Sequence, residues 1–290
     1  MPDLEFHELP GLGVIRLAGP DALPFLQGQV TADLRSPEPH VSTLAAWCTP
    51  QGRVIALMRV APDADGLLAV LPRELCGSVA ERLARFVMRA KVKVTDASAQ
   101  LAVGGVCGTA AGSVEAAEGV CTLRLPAGRE CLVGTPERIA AVTAGLRRGA
   151  PGAWESACIA QGEPEVFAGT SEVWVPQMLN LDLLGAIGFR KGCYPGQEIV
   201  ARTQNLGRIK RRLFRYHVAG ATLPGPGEAL HLGAARVGEV VRSASTAGAA
   251  ELLAVVNLEA AGLGLTDASG TVTCSPEPLP YAVPEAEDVP

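Results

Sequence analysis

The run Arg190-Lys191-Gly192-Cys193-Tyr194-Pro195-Gly196-Gln197-Glu198 brings two bases, a thiol, an aromatic ring, a Pro-Gly turn and a carboxamide next to a carboxylate into one short stretch. No other part of the chain concentrates chemistry so strongly. Gly192 and Pro195-Gly196 demand sharp bends, and Gln197-Glu198-Ile199-Val200-Ala201-Arg202 reads as the opening turns of a helix that runs to Gly207. Cys193 then stands just ahead of a helix N-terminus, with Arg190 and Lys191 beside it and Arg202 in reach. Positive charge from the bases and from unpaired N–H groups favours the thiolate. Cys193 is therefore the expected reactive thiol, unlike a core cysteine.

Around this stretch the chain is apolar for its length, with 48% hydrophobic and 19% charged residues, which suits two or three domains with a sizeable core. No apolar run reaches the roughly 18 residues of a membrane span, and Met1 to Gly11 lacks the basic-then-apolar pattern of a signal peptide. A cytoplasmic protein without membrane contact is expected. Eight cysteines stand singly, at 48, 76, 107, 121, 131, 158, 193 and 274, with no Cys-x-x-Cys and no Cys-His pairing at zinc spacing. No metal site is encoded locally, and the other seven read as reduced, mostly buried thiols. A net charge of −5 argues against direct nucleic-acid binding. Yet Arg190, Lys191, Arg202, Arg208, Lys210, Arg211, Arg212 and Arg215 face one acid, Glu198, over the same interval, so an anion or a polyanion is expected there. A charged strand edge is the alternative for Lys210 to Arg215.

Read in order, residues 4–9 and 13–18 alternate as strands, and Gly19-Pro20-Asp21 starts a helix with proline at its first position. Ser42–Thr49 and Arg53–Val60 form a hairpin about Pro50-Gln51-Gly52. Leu67–Leu71 is a strand, Pro72 opens a helix to about Ala90, and Val92–Thr95 is a further strand. Leu101–Val106, Cys121–Leu125 and Glu130–Val133 are strands, followed by a helix over Pro136–Arg147. Trp154–Gln161 is a short helix ended by Gly162, and Asn180–Leu184 another helical segment. From Arg208 the spacing changes to short strands parted by Gly, Pro and Ser, the pattern of a compact β-barrel. The expected division is a region 1–207, a barrel 208–275 and a Pro/Glu-rich tail 276–290 whose end is disordered and whose one aromatic anchor is Tyr281.

Further motifs accompany the opening stretch. They are Gly19-Pro20-Asp21-Ala22, Phe25-Leu26-Gln27-Gly28-Gln29-Val30-Thr31-Ala32-Asp33, Gly52-Arg53-Val54, Trp174-Val175-Pro176-Gln177-Met178-Leu179-Asn180-Leu181, Gly188-Phe189 and Glu277-Pro278-Leu279-Pro280-Tyr281. Together with Arg190 to Glu198 they resemble the YgfZ family of folate-binding proteins, related to the T-protein of the glycine cleavage system, over nearly the whole chain. The resemblance implies an α+β fold: a T-protein-like split α+β body with a ferredoxin-like subdomain inserted at about 42–100, plus the C-terminal β-barrel. It implies tetrahydrofolate or a derivative as cofactor, with Trp154 lining the pocket as the family's tryptophan does. A pterin edge needs hydrogen-bonding groups and a glutamate tail needs bases, for which Gln177, Asn180, Arg190 and Arg202 are the candidates. Leu12 and Ala160 depart from a tryptophan and a glutamate found in some relatives.

The implied function is that of a folate-dependent accessory factor in iron–sulfur cluster assembly or repair, indirectly supporting enzymes that thiolate tRNA. Its partners would be iron–sulfur assembly proteins or cluster-containing client enzymes. Cys193 would act within the motif Lys191, Gly192, Cys193, Tyr194, Gly196, Gln197 and Glu198. The alternatives are an aminomethyltransferase-like one-carbon enzyme and a non-catalytic folate-binding scaffold. T-proteins carry paired aspartates shortly after the glycine of the first hairpin, where this chain has Arg53-Val54-Ile55-Ala56-Leu57, so the transferase is disfavoured.

Overall fold

The structure is a computed structural model, which describes residues 4–35, 42–108, 118–205 and 209–284. Its strands and helices fall into two compact units, each drawn from separated parts of the chain. One comprises Met1–Cys48, Ile55–Gly149 and Ala186–Pro195; the other comprises Thr49–Val54, Ala150–Gly185 and Gly196–Pro290.

The first unit runs through β1 (Glu5–Glu8), β2 (Leu12–Ala18), α1 (Ala22–Gln27), β3 (Thr43–Cys48), β4 (Val54–Asp63), β5 (Gly66–Pro72), α2 (Arg73–Ala84) and β6 (Lys93–Asp96). It continues with β7 (Ala102–Cys107), β8 (Val120–Leu125), β9 (Arg129–Gly134), α3 (Pro136–Thr143) and β10 (Arg147–Arg148). These strands make two five-stranded sheets, in the orders β3-β4-β5-β2-β6 and β10-β1-β7-β9-β8. In the first sheet β2 lies between β5 and β6, antiparallel to both. The sheet is therefore not a contiguous insertion at 42–100, because residues 12–18 supply one of its inner strands. That position explains the near-continuous apolar character of β2, whose Val14, Ile15 and Leu17 are all fully buried.

The second unit holds α4 (Ala153–Ala160), α5 (Gln197–Asn205) and a closed barrel. Its strands are β11 (Arg211–Ala219), β12 (Ala229–Leu232), β13 (Ala235–Ser245), β14 (Ala250–Asn257), β15 (Leu265–Thr266) and β16 (Thr273–Glu277), in the order β11-β14-β13-β12-β15-β16. Leu252, Ala254 and Val256 of β14 fill the barrel. Leu253 and Val255 on its other face are equally buried, and α4 lies against β13 and β14. This cover moves the boundary expected near Gly207: residues 150–185 and α5 belong with the barrel. The contact is close enough that a Cβ on Gly152, at φ +75°, would stand 2.1 Å from the Ser245 carbonyl oxygen.

Several limits differ from the sequence reading. Helix α2 stops at Ala84 rather than Ala90 and α3 at Thr143 rather than Arg147, where Arg147–Arg148 instead pairs parallel with β1. The first helix starts at Ala22, with Pro20 outside it. The helical turn expected at Asn180–Leu184 lies at Pro176–Leu179, because Asn180 takes a left-handed φ of 56° and ends it. Helix α5 is described as far as Asn205; its expected end at Gly207, Arg208 and the tail end 285–290 lie outside the described residues. The tail starts as barrel strand, since Pro276 and Glu277 pair with Tyr216 and Arg215.

A buried ion pair fixes the Pro176–Asn180 turn on β11. Arg212 Nη1 and Nη2 donate to Asp182 Oδ1 and Oδ2 at 2.9 and 2.8 Å, with both side chains 4% exposed. Arg212 Nη1 also reaches the Gln177 carbonyl at 3.2 Å and Asn180 Oδ1 at 3.3 Å. Removing one partner strands a buried charge, so Asp182→Ala is expected to lower unfolding free energy by about 3–5 kcal/mol in urea titration. The double change Arg212→Met/Asp182→Leu, which strands no charge, should recover most of that loss.

Candidate functional site

Residues 186–195 belong to the first unit, and their geometry is set by Lys191. Its side chain turns inward, 7% exposed overall, and Nζ donates to the carbonyl oxygens of Gln27, Val30 and Ala32, each at 2.6 Å. An ammonium has three protons for these three acceptors. Nearby bonds join the same segments: Gly188 N–H to the Thr31 carbonyl at 2.8 Å and Thr31 Oγ1–H to the Ala186 carbonyl at 2.7 Å. Burial lowers the Lys191 amine to about 8, while the carbonyls, each taking one N–H, favour the charged form. At neutral pH it is an ammonium. Tyr194, 5.2 Å from Nζ at its ring centroid, is buried and pushed up to about 12 by desolvation.

The positive charge expected to serve the Cys193 thiol from Lys191 is thus anchored on the 27–32 turn. Cys193 itself is exposed, four positions ahead of the α5 start at Gln197. It is the one exposed cysteine of the eight; Cys107 and Cys121 are intermediate and the others buried. Burial pushes Cys48 up to about 12 and Cys76, Cys121 and Cys274 to about 11. Arg190 is exposed, as is Glu198, which pairs with Arg202 at 3.3 Å across one helical turn.

Gly196 and the residues after it belong to the second unit, with the tip of the first hairpin. Gly52 and Gly196 both have positive φ, 71° and 81°, and approach so closely that a Cβ on Gly196 would stand 2.5 Å from the Thr49 carbonyl oxygen and 2.8 Å from Gly52 Cα. Two motifs far apart in sequence therefore meet backbone to backbone, and only glycine fits. The hairpin tip is also tied to residues 172–174: Val54 N–H bonds the Trp174 carbonyl at 2.8 Å, and Arg53 Nη1 the Val173 carbonyl at 2.6 Å.

The candidate folate contacts in this unit are buried, and most of their polar capacity is used internally. Gln177 is fully buried; its Nε2 donates to the Val200 carbonyl of α5 at 2.8 Å, while Oε1 has no hydrogen-bond partner. Asn180 is also fully buried: Nδ2 donates to the Leu213 carbonyl at 2.9 Å, and Oδ1 accepts from Arg212. Its second amide proton goes to the Tyr281 hydroxyl at 3.4 Å, so both donors are used within the protein and one lone pair of Oδ1 remains. Trp154 is 5% exposed, on α4. The Tyr281 hydroxyl donates to the Gly162 carbonyl at 3.0 Å, just past α4. In the first unit, Leu12 lines a cavity of about 350 Å³ with Phe6, Leu9, Arg73, Ile139 and Arg148.

Of the described bases between Arg190 and Arg215, four are engaged within the protein. Lys191 is caged, Arg212 is paired with Asp182, Arg215 with Glu251 at 2.6 Å and Arg202 with Glu198. The sequence reading missed Asp182 and the partnership of Arg212. A signal was present, since Asp182 is a lone acid between Leu181 and Leu183, and an acid in an apolar run calls for a buried partner.

No family model matches the chain. It is 31% identical to the tRNA-modifying protein YgfZ of Cronobacter sakazakii, over 93% of this chain and 91% of that protein. It is 33% identical to the tRNA-modifying protein YgfZ of Edwardsiella ictaluri, over 83% and 78%. Among solved structures, the glycine cleavage system aminomethyltransferase T of Bartonella henselae superposes with a TM-score of 0.76 at 12% identity, over 97% of this chain and 87% of that one. At that identity the likeness concerns the fold.

The Lys191 cage predicts a chemical rescue. Lys191→Ala should leave three converging carbonyls without a cation, speeding amide hydrogen exchange at residues 28–32, and ammonium at tens of millimolar should restore protection where tetramethylammonium does not. Linkage gives a second expectation. Since the folded midpoint of about 8 lies below the unfolded 10.5, this group's contribution to stability grows from about pH 8 to 10.5 and is lost as the pH falls through 8. The stability of wild type relative to Lys191→Met should therefore rise over that window in denaturant titrations.

Proposed function

The chain belongs to the YgfZ family, and we propose that it supports tRNA modification as a folate-binding accessory factor in the assembly or repair of the iron–sulfur clusters that modifying enzymes use. The observation that carries this reading is Cys193: one exposed thiol on a segment fixed on one side by the caged Lys191 and followed by the tightly packed Gly196. An accessible sulfur would attack the outer sulfur of a donor persulfide and release the donor as a thiolate, ligate a cluster in transit, or open a client disulfide to give a mixed disulfide and a free client thiolate. Buried thiols pushed up to about 11 or 12 would do none of these at neutral pH.

Folate is supported by Trp154 and Gln177. The indole would wall the flat pterin, and Gln177 Oε1, a buried acceptor without a partner, would take a hydrogen bond from a pterin amino group. Asn180 suits that role less well, because Arg212, Leu213 and the Tyr281 hydroxyl already hold most of its amide. Arg202, whose pairing with Glu198 is exposed and weak, would meet the anionic tail. When bound, a reduced folate supplies one-carbon chemistry. The aminomethyltransferase reading has the fold likeness in its favour, but Arg53-Val54-Ile55-Ala56-Leu57 offers no carboxylate to steer a proton.

Three measurements test this reading. Calorimetry should show tetrahydrofolate binding that Trp154→Ala weakens at least tenfold; no binding by wild type would remove folate from the proposal. Brief iodoacetamide exposure of the native protein, read by mass spectrometry, should label Cys193 before any other cysteine. In a strain lacking the protein, Cys193→Ser should fail to restore thiolated tRNA nucleosides while keeping folate affinity; full restoration would make the thiol structural and favour the scaffold.

A further inference from the structure

The chain leaving α2 forms a basic knob with an apolar tip that nothing above employs. From Glu81 to Lys93 it carries Arg82, Arg85, Arg89, Lys91 and Lys93 against the single acid Glu81, within a chain of net charge −5. All five bases are exposed. So are Phe86 at 52% and Met88 at 88%, the latter the most exposed of the large apolar side chains among the described residues.

The backbone explains this display. After Ala84 the chain bends instead of continuing the helix, and Val87, Ala90, Val92 and Val94 lean on the sheet's core, which turns Met88, Arg89, Lys91 and Lys93 to solvent. Phe86 stands edge-on to Trp47, with ring centroids 6.3 Å apart at 87°, and Arg82 lies 5.3 Å over the same indole. The exposed ring is thus braced from beneath. The nearby acids are engaged: Glu81 pairs with Arg85, Asp21 accepts the Lys91 backbone N–H at 2.6 Å, and Asp96 accepts the Ser98 N–H. Among the described residues, the side chains of Arg89, Lys91 and Lys93 form no ion pair.

We propose that this knob docks RNA, with Arg89, Lys91 and Lys93 on phosphates and an unstacked base against Phe86 and Met88. An acidic protein surface would meet the same five bases, and polyglutamate stands for it in the test below. A membrane-surface helix needs a free apolar face, but Leu75, Val79 and Leu83 of α2 are buried in the core. Single-stranded RNA asks for both features present, cations at backbone reach and a π face for a base. The net negative charge elsewhere does not oppose this, because its field is screened within about 8 Å at physiological salt. The inference goes beyond the function proposed above, in which RNA is reached only through client enzymes.

The test is fluorescence anisotropy of the full chain with unfractionated tRNA between 50 and 200 mM salt, with polyglutamate and phosphatidylserine–phosphatidylcholine vesicles as parallel probes. Wild type should bind tRNA with a micromolar Kd at the low-salt end. Arg89→Glu/Lys91→Glu/Lys93→Glu should weaken it at least tenfold and flatten the log–log salt slope by about 2, as expected for three lost single-strand phosphate contacts. Phe86→Ala and Met88→Ala should each weaken binding about fivefold with the slope unchanged, a stacking signature. Circular dichroism, melting and tetrahydrofolate affinity of the variants should match wild type, which separates this surface from the folate reading. The proposal is overturned by a Kd above about 100 µM at 50 mM salt, by triple-variant binding equal to wild type, or by polyglutamate or vesicles binding as tightly as tRNA.

Discussion

Three backbone carbonyls of the turn from Gln27 to Ala32 converge on one point, and a single amine with three protons meets all of them. Lys191 supplies it from a segment more than 150 residues away, so the start of the chain and the strap before Cys193 are joined through one ammonium. Burying an amine is unfavourable, and the lowering to about 8 expresses that cost. The three hydrogen bonds offset it, and their direction is what orients the strap. Lysine suits the position because its charge is compact and its three protons rotate to meet three acceptors.

The second unit uses the same principle with arginine. A planar fork is needed where Asp182 presents two oxygens, and the donor left over reaches the turn that holds Gln177 and Asn180. Such pairs add little net stability over apolar packing, but their strict geometry discourages alternative arrangements of the turn. Gln177 Oε1 is then left buried and unpaired next to an otherwise satisfied network. Buried orphans of that kind are uncommon in native structures and mark places where water or a ligand completes the bonding.

Glycine does the remaining positioning. Where Gly52 meets Gly196, two turns with positive φ pass within the space of a missing side chain, which places the hairpin tip against the first turn of α5. Neither turn needs its partner to form, but each needs glycine for the contact. Cys193 lies two residues past Lys191 in the other unit, and its side chain is exposed.

The sequence by itself determined the family, through motifs dense enough that one stretch of nine residues with its companions suffices. The resemblance implied the α+β class, while the C-terminal barrel and the singular standing of Cys193 among eight cysteines were legible directly, because alternation, turn residues and local composition are short-range signals. Tertiary structure decided how charge is used. Lys191 reads as a neighbour that activates a thiol, yet it is a structural cation; Arg212 reads as part of an anion site, yet it is half of a buried pair. It decided the units too, since Leu253 and Val255 are apolar in any reading but only packing shows that α4 lies against their strand. The physical reason is common to all three: a side chain's partner is set by contacts between distant segments, and no local pattern records which distant segment will arrive.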